Sequence, residues 1–151
     1  MTNKAEKAIE IAEKITDLYE TNRLITYEPY EYQKRFHDAK DMGGRLARQR
    51  LLMAANKTGK TFCGATELAL HLTGRYPQWW TGAKFTRPIT AWAAGNTTAN
   101  TRDIVQAELL GEPGDEEEFG KGALPKQYIS GTPLRMPGVP NAYQSLNVKH
   151  I

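Results

Sequence analysis

Residues 51–61 have the sequence Leu-Leu-Met-Ala-Ala-Asn-Lys-Thr-Gly-Lys-Thr, an apolar run followed by a polar turn that contains a glycine. A continuous apolar run such as Leu51–Ala55 is typical of a strand that is buried on both faces of a parallel sheet. Beyond the turn, apolar residues recur at helical spacing from Phe62 to Leu72, and Gly74 is a plausible helix stop. The order of strand, glycine-containing turn and helix predicts a phosphate-binding P-loop.

The side chains of this turn suit a nucleoside triphosphate with magnesium. The P-loop pattern requires Gly, four free positions, Gly, Lys and then Ser or Thr, and here Ala54 replaces the first glycine. Gly59 lets the backbone turn close to phosphate, and the Lys60 ammonium reaches the β and γ oxygens as the predicted catalytic group. The Thr61 hydroxyl is the predicted Mg²⁺ ligand. Backbone amides at the start of the helix, from about Lys57 onward, attract the anion. The competing interpretation is a purely structural loop.

Gln33 is the second candidate binding residue, because it lies among Tyr30, Tyr32 and Phe36 upstream of the predicted strand. Its amide can pair with the edge of adenine, which would select ATP, whereas the alternative is an exposed glutamine on a short helix. Lys57 is a second cation inside the loop. Its side chain could contact phosphate or the nucleotide of a neighbouring subunit, or it could simply be solvated. The predicted nucleotide contacts are Gln33, Asn56, Lys57, Thr58, Gly59, Lys60 and Thr61.

The remaining chain alternates predicted helices and strands. The predicted elements are an amphipathic helix from Asn3 to about Glu20 with an Asn3–Glu6 capping box, a short helix over 32–39, a second buried strand over Ile89–Ala94, a helix over Thr98–Leu110 that starts near Thr98 or Thr101, and a strand over Tyr143–Ile151. Strands that alternate with helices favour an α/β layered fold with parallel pairing.

Composition narrows the classes of function. The 151 residues are 40% apolar, which suits one globular domain, and no run approaches the roughly 20 apolar residues of a membrane span. The net charge of +3 is too small to argue nucleic-acid binding by itself. Between Gln33 and Lys60, however, eight Lys or Arg face only two acids, which suits either a polyanion site or a solvated face.

Several other features have plain structural interpretations. The single cysteine, Cys63, cannot form an internal disulfide and is expected to be a small packing residue in a reducing compartment. Trp79 and Trp80 are expected to be packing anchors rather than a base-stacking platform, because no regular basic residues are interleaved with them. The acidic run Asp115–Glu118 is expected to be an exposed loop, and the three histidines lack the spacing of metal ligands.

Four segments taken together are more specific than the P-loop alone. They are Tyr30–Gln33, Leu51–Thr61, His71–Trp80 and Ala91–Gly95, and they resemble the N-terminal ATPase domain of the large terminase subunit of tailed bacteriophages and prophages. The resemblance covers 27–110 well and the rest loosely. The third segment is the most distinctive, because generic P-loop chemistry does not require it.

The resemblance implies a three-layer αβα P-loop NTPase fold with a mainly parallel sheet, incomplete at its C-terminal end and preceded by an N-terminal helix. Residues 1–26 would then be a helical segment, and 27–151 the N-terminal portion of the ATPase domain, without the nuclease domain. It implies a motor that uses ATP and Mg²⁺ to drive double-stranded DNA into a procapsid. The motor would be a homo-oligomeric ring at a portal protein, with a small terminase subunit, in the cytoplasm of the bacterial host and without membrane contact. Gln33 would contact adenine, and 56–61 would be the P-loop.

The chain departs from this family in its acidic residues. Such terminases continue with an apolar strand that ends in Asp-Glu, which holds magnesium and activates water, and then with a nuclease domain. No apolar run here ends in paired acids, and Asp115–Glu118 follows no predicted strand. We therefore expect the chain alone to bind ATP weakly and to hydrolyse it negligibly. The alternative function is a catalytically inactive regulatory or interaction module or a remnant, while a small-molecule kinase is disfavoured because no acceptor site is visible.

Overall fold

A computed structural model describes residues 4–151, which begin with a long helix, α1 (Lys4–Thr21). The predicted N-terminal helix is confirmed, although Asn3, its predicted cap, lies outside the described residues. No residue of α1 is buried, and the side chains of Ile11 and Ile15 are exposed. The apolar face of α1 is therefore not covered by the rest of the described chain.

Three further helices precede the middle of the chain: α2 (Arg23–Thr26), α3 (Glu31–His37) and α4 (Lys60–Thr73). The predicted helix after the glycine turn is confirmed by α4. It is capped by Gly59 (φ 80°) and Gly74 (φ 72°), and both residues have the left-handed conformation that glycine adopts without steric cost. The amide of Gly74 donates to the carbonyl of Leu70 at 2.9 Å, which closes the last turn.

The predicted helix over Thr98–Leu110 is also confirmed, with a local change of winding. It consists of α5 (Thr98–Asn100), a π-helical stretch (Thr101–Gln106) and α6 (Ala107–Leu110). The cap of this helix is Thr97, one residue before Thr98. The Thr97 hydroxyl accepts a hydrogen bond from the Asn100 amide at 3.1 Å. This bond satisfies one of the free amides at the helix start.

Replacement of this cap gives a first testable expectation. Thr97→Ala removes the acceptor for the Asn100 amide and should cost about 1 kcal/mol of unfolding free energy, measured by urea denaturation. Thr98→Ala is the matched control, because Thr98 is exposed and is the first residue inside the helix. An equal loss in both variants would contradict the assignment of Thr97 as the cap.

The last part of the described chain forms an antiparallel hairpin. A 3₁₀ turn (Lys126–Tyr128) leads into β1 (Ile129–Arg135), which pairs with β2 (Tyr143–Val148). The predicted C-terminal strand is confirmed by β2. The Gln106 side chain fixes the hairpin to the π-helical stretch, because its amide donates to the Tyr143 carbonyl at 2.5 Å and accepts from the Tyr143 amide at 3.0 Å.

The hydrophobic core lies between α4, α6, the loop after α6 and β2. Its buried members are Ala65, Ala69, Leu109, Leu110, Phe119, Ala123, Leu124 and Tyr143. The loop hydrogen-bonds to α6, with the Leu124 amide donating to the Leu109 carbonyl at 2.8 Å. Gly122 is required there, because a Cβ atom would collide with the backbone of Leu109 and Leu110. The core therefore anchors α4 along much of its length, through Ala65 and Ala69 and through Phe62, which packs against the core from the first turn.

The two strands predicted for a parallel sheet are not formed. Residues 51–55 and 89–94 have no regular structure, and Leu51, Met53 and Trp92 are 80%, 81% and 94% exposed. Within residues 4–151 the only sheet is the antiparallel hairpin, so the described fold is α/β without parallel pairing. Apolar content alone does not make a strand, because each strand needs a partner for its backbone hydrogen bonds. None of the helices in this part of the chain is long and apolar enough to cross a membrane.

Candidate nucleotide-binding site

The turn before α4 is a tight loop whose lysine folds back onto it. The Lys60 ammonium donates to the carbonyls of Ala54 and Ala55 at 2.8 and 2.5 Å, and the Thr58 hydroxyl donates to the Ala55 carbonyl at 2.8 Å. Lys57 has a positive φ of 60°, which is uncommon outside glycine. The loop thus wraps around the ammonium of Lys60.

The helix start that follows the loop has free amides. Gly59 caps α4 without a side-chain acceptor, and the first intrahelical bond runs from the Cys63 amide to the Gly59 carbonyl at 2.9 Å. The preceding amides of Lys60, Thr61 and Phe62 therefore have no acceptor within the helix. Free amides and the positive end of the helix dipole favour an anion at this position. Thr61 is exposed on the first turn.

Gln33 lies directly against this loop. Its side chain is 3% exposed, its Nε2 donates to the Gly59 carbonyl at 3.2 Å, and its Oε1 accepts from the Tyr30 amide at 2.9 Å. The Tyr32 hydroxyl donates to the Thr58 carbonyl, which adds a second link between α3 and the loop. The structure thus brings Gln33 to the glycine turn across 26 residues of sequence. An amide has two donors and two lone pairs, so Gln33 retains one donor and one lone pair for further partners.

An open cavity of about 1360 Å³ connects Gln33 with the loop. Its lining includes Tyr30 and Tyr32, whose rings stack with centroids 6.1 Å apart and planes at 13°. The charged side chains that line the cavity are Glu20, Arg23, Glu28, Lys57 and Lys121. A cavity with an aromatic wall, a glutamine amide and a phosphate-type loop has the features of a nucleotide site.

A buried charge cluster lies behind the loop. Glu67, on α4, accepts from the Arg50 guanidinium, its Oε2 lies 2.7 Å from His37 Nδ1, and its Oε1 lies 3.3 Å from His71 Nε2. Arg50 also donates to the carbonyl of Phe36 at 3.0 Å. The cluster joins α3, α4 and the residue that precedes the apolar run 51–55.

The hydrogen bonds of this cluster hold Glu67 in its ionised form. Burial alone raises the pKa of its carboxyl, but hydrogen bonds from His37, His71 and Arg50, together with the charge of Arg50, lower the pKa to about 2. A buried carboxylate with this many donors is fully paired. It therefore supports the packing of three segments rather than acting as a free acid.

The distinctive segment His71–Trp80 packs against the same cluster. His71 Nδ1 lies 3.0 Å from the Tyr76 hydroxyl, and Trp80 is buried with its ring centroid 4.9 Å from that of His37. Trp79 lies beside Tyr27 with a centroid distance of 6.0 Å. Trp80 therefore packs in the interior and the half-buried Trp79 packs beside it, in agreement with their interpretation as packing anchors.

Cys63 also lies in this interior. It is fully buried, its Sγ is 3.5 Å from His37 Nε2, and burial raises the pKa of its thiol to about 11, despite an opposing hydrogen bond with Tyr27. The thiol is thus neutral at physiological pH, and its interpretation as a packing residue is confirmed.

The basic stretch between Gln33 and Lys60 divides into two groups. Arg50 belongs to the buried cluster and Lys60 to the loop. The exposed members are Lys34, Arg35, Lys40, Arg45, Arg48 and Lys57. The solvated-face interpretation therefore describes the present environment of most of this stretch.

The structure brings together Gln33 and the loop 56–61, but sequence reasoning missed the residues that hold them in place. Those residues are Tyr27, Tyr32, His37, Arg50, Glu67 and His71. A signal was present in the spacing, since Gln33 and His37 are four residues apart on α3, and Gly59, Cys63, Glu67 and His71 recur every four residues along α4. Such spacing places each set on one helix face.

These features define a candidate nucleotide-binding loop at the start of a helix. The family model described as "Terminase large subunit, T4likevirus-type, N-terminal" matches residues 51–137, more than half of the chain. A curated relative, "Terminase, large subunit" of Salmonella phage P22, is 34% identical over 154 residues, which cover 94% of this chain and 30% of the relative. No solved structure matches. The chain belongs to the terminase large subunit family, and it spans less than a third of the length of this curated relative.

Proposed function

We propose that the chain forms the ATP-binding portion of a viral DNA-packaging motor that couples ATP hydrolysis to translocation of DNA into a procapsid. The observation that carries this proposal is the contact between Gln33 and Gly59, which places an amide beside a Gly-Lys-Thr helix start in a terminase-family chain. Lys60 would neutralise the β- and γ-phosphates, and Gln33 would contact adenine.

Magnesium would enter with the nucleotide. No group of three or more His, Cys, Asp or Glu side chains in residues 4–151 is arranged to hold a metal ion. Mg²⁺ usually retains waters and binds through substrate phosphates with one or two protein oxygens. The exposed hydroxyl of Thr61 on the first turn of α4 fits that limited role. The ion would supply charge neutralisation at the phosphates.

The proposal includes the P-loop NTPase fold with a parallel sheet, in which 51–55 and 89–94 would become strands. It also retains residues 1–26 as a helical segment and 27–151 as the start of the ATPase domain. In the whole protein the partners would be double-stranded DNA, a portal protein, a small terminase subunit and further copies in a ring, in the host cytoplasm. These assignments are supported by membership of the family.

The alternative is a module that binds nucleotide without hydrolysis. One observation favours it for the chain alone: Glu116 pairs with Arg135 at 3.2 Å and Glu118 with Lys121 at 2.5 Å, so these carboxylates of the acidic run already have partners. Release of phosphate from ATP by the isolated chain should be negligible under either function, because no apolar run here ends in paired acids. Turnover that disappears in Lys60→Ala would overturn the module without hydrolysis and would show that the chain alone is an active ATPase.

The binding test compares Lys60→Ala with the unmodified chain. Isothermal titration with Mg²⁺-ATP should show weak binding to the unmodified chain and at least about tenfold weaker binding to the variant, because a charge-assisted contact to phosphate is lost. Lys34→Ala is the matched control, since Lys34 is an exposed cation of the same basic stretch. Absence of binding to the unmodified chain would refute the proposed function. An equal loss of affinity in both variants would show that only the net charge of the chain, and not a specific contact of Lys60, matters for binding.

A further inference from the structure

Two contacts, one helical turn apart, hold α3 against α4. Gln33 and His37 are each only 3% exposed. The first donates to the Gly59 carbonyl at 3.2 Å, and Nδ1 of the second lies 2.7 Å from Glu67 Oε2. Residues four apart lie on one helix face, separated by about 6 Å along the axis. Together the two contacts fix both the position and the rotation of α3.

The second contact has a firm anchor. Glu67 is buried and also binds Arg50 and His71, so its carboxylate has little freedom to follow a movement of α3. The other ring nitrogen of His37 lies 2.9 Å from the hydroxyl of Tyr27, which lines the cavity together with Gln33. His37 therefore connects the cavity wall to a fixed point on α4.

The phosphate-binding groups do not depend on α3 in the same way. The Lys60 ammonium is held by the carbonyls of Ala54 and Ala55, and the free amides belong to the first turn of α4 itself. The hydrophobic core anchors α4 through Ala65 and Ala69, and Phe62 of its first turn packs against the core. α3 contacts the loop through Tyr32 and Gln33, but the start of α4 is also held by the core, so a shift of α3 would displace Gln33 more than the start of α4.

We propose that His37, anchored by Glu67, is a positioning residue that orients Gln33 for recognition of the base and has no part in binding phosphate. This inference rests on the nucleotide-binding function proposed above. It divides the site into a phosphate half that belongs to α4 and a base half that is held through the buried cluster. His37 contacts no nucleotide in this scheme and acts only through the placement of α3.

The test compares Mg²⁺-ATP, Mg²⁺-GTP and Mg²⁺-tripolyphosphate by isothermal titration. In His37→Phe, the preference for ATP over GTP should fall about fivefold, the value of one misplaced hydrogen bond, and the affinity for tripolyphosphate should not change. His37→Asn should retain the preference, because its side-chain nitrogen replaces Nδ1 and keeps the bond to Glu67.

His71→Phe is the matched control. It also removes an imidazole from Glu67, but His71 connects to Tyr76 rather than to α3. Circular dichroism melts set a temperature at which every variant is folded. If His37→Phe does not fold, Tyr27→Phe replaces it, with an expected loss of preference of about twofold.

The possible outcomes are distinct. If the unmodified chain binds neither ATP nor tripolyphosphate, the nucleotide-binding function fails and this inference fails with it. If the unmodified chain binds but does not prefer ATP, or if His37→Phe weakens ATP and tripolyphosphate equally, the inference is overturned and the binding function stands. An equal loss of preference in His71→Phe also overturns it. Selective loss in His37→Phe with recovery in His37→Asn supports it.

Discussion

Glu67→Ala should lower the free energy of unfolding by about 3–5 kcal/mol, because it leaves a partly buried guanidinium and two imidazoles without their shared acceptor. Arg50 would lose its ion pair, and His37 and His71 would each lose a hydrogen bond. The measurement is urea denaturation followed by circular dichroism at pH 7.

An exposed ion pair provides the control for this variant. Glu10 pairs with Lys14 at 2.6 Å on the surface of α1, so Glu10→Ala should change stability by less than about 0.5 kcal/mol. A loss of less than about 1 kcal/mol in Glu67→Ala would show that the cluster contributes no more than surface pairs do.

Acid should destabilise the chain mainly through the same carboxyl. The pKa of Glu67 is about 2 in the folded chain, against 4.5 for an unperturbed glutamate. A folded-state pKa below the unfolded value means that the stabilisation is fully present above about pH 4.5 and is lost as the pH falls toward 2. This difference in pKa corresponds to ~3 kcal/mol of unfolding free energy.

Glu67→Gln isolates this contribution, since the amide keeps the shape of the side chain and does not titrate. Urea denaturation between pH 7 and pH 3 should show a shallower loss of stability for the variant than for the unmodified chain. Part of the loss should remain, because hydrogen bonds from Arg45 and Arg102 also lower the pKa of Asp41 and Asp103. Identical pH profiles for the two proteins would contradict the role of Glu67.

Helices were predictable from the sequence because their signals are local. Gly59 and Gly74 mark the ends of α4, and apolar residues recur about once per helical turn between them. Strands depend on distant partners, which explains why β2 was predicted without its antiparallel pairing and why 51–55 and 89–94 were predicted as strands that the described chain does not form. The hydrophobic pattern of a buried strand indicates that the segment needs neighbouring strands, but it does not identify them.

The residues of the candidate site could be selected from the sequence, but the residues that hold them in place could not. The Gly-Lys-Thr turn and Gln33 were selected as residue types suited to phosphate and adenine, and those ligands stay a prediction. The link between them depends on the packing of α3 along α4, and a pair such as His37 and Glu67, 30 residues apart, has no local signal. Buried polar clusters of this kind become visible only when the fold brings their members together.

The position of the Lys60 ammonium has a consequence for the exposed apolar run before it. Its two acceptors are the carbonyls of Ala54 and Ala55, at the end of that run. A phosphate that attracts the ammonium would free the Ala54 carbonyl and leave the Ala55 carbonyl bonded to the Thr58 hydroxyl alone. Free carbonyls at the end of an unpaired segment are the groups that a neighbouring strand hydrogen-bonds. Ligand entry would then be an exchange of partners that favours β-pairing of 51–55, so occupancy of the loop and completion of a sheet would be thermodynamically linked.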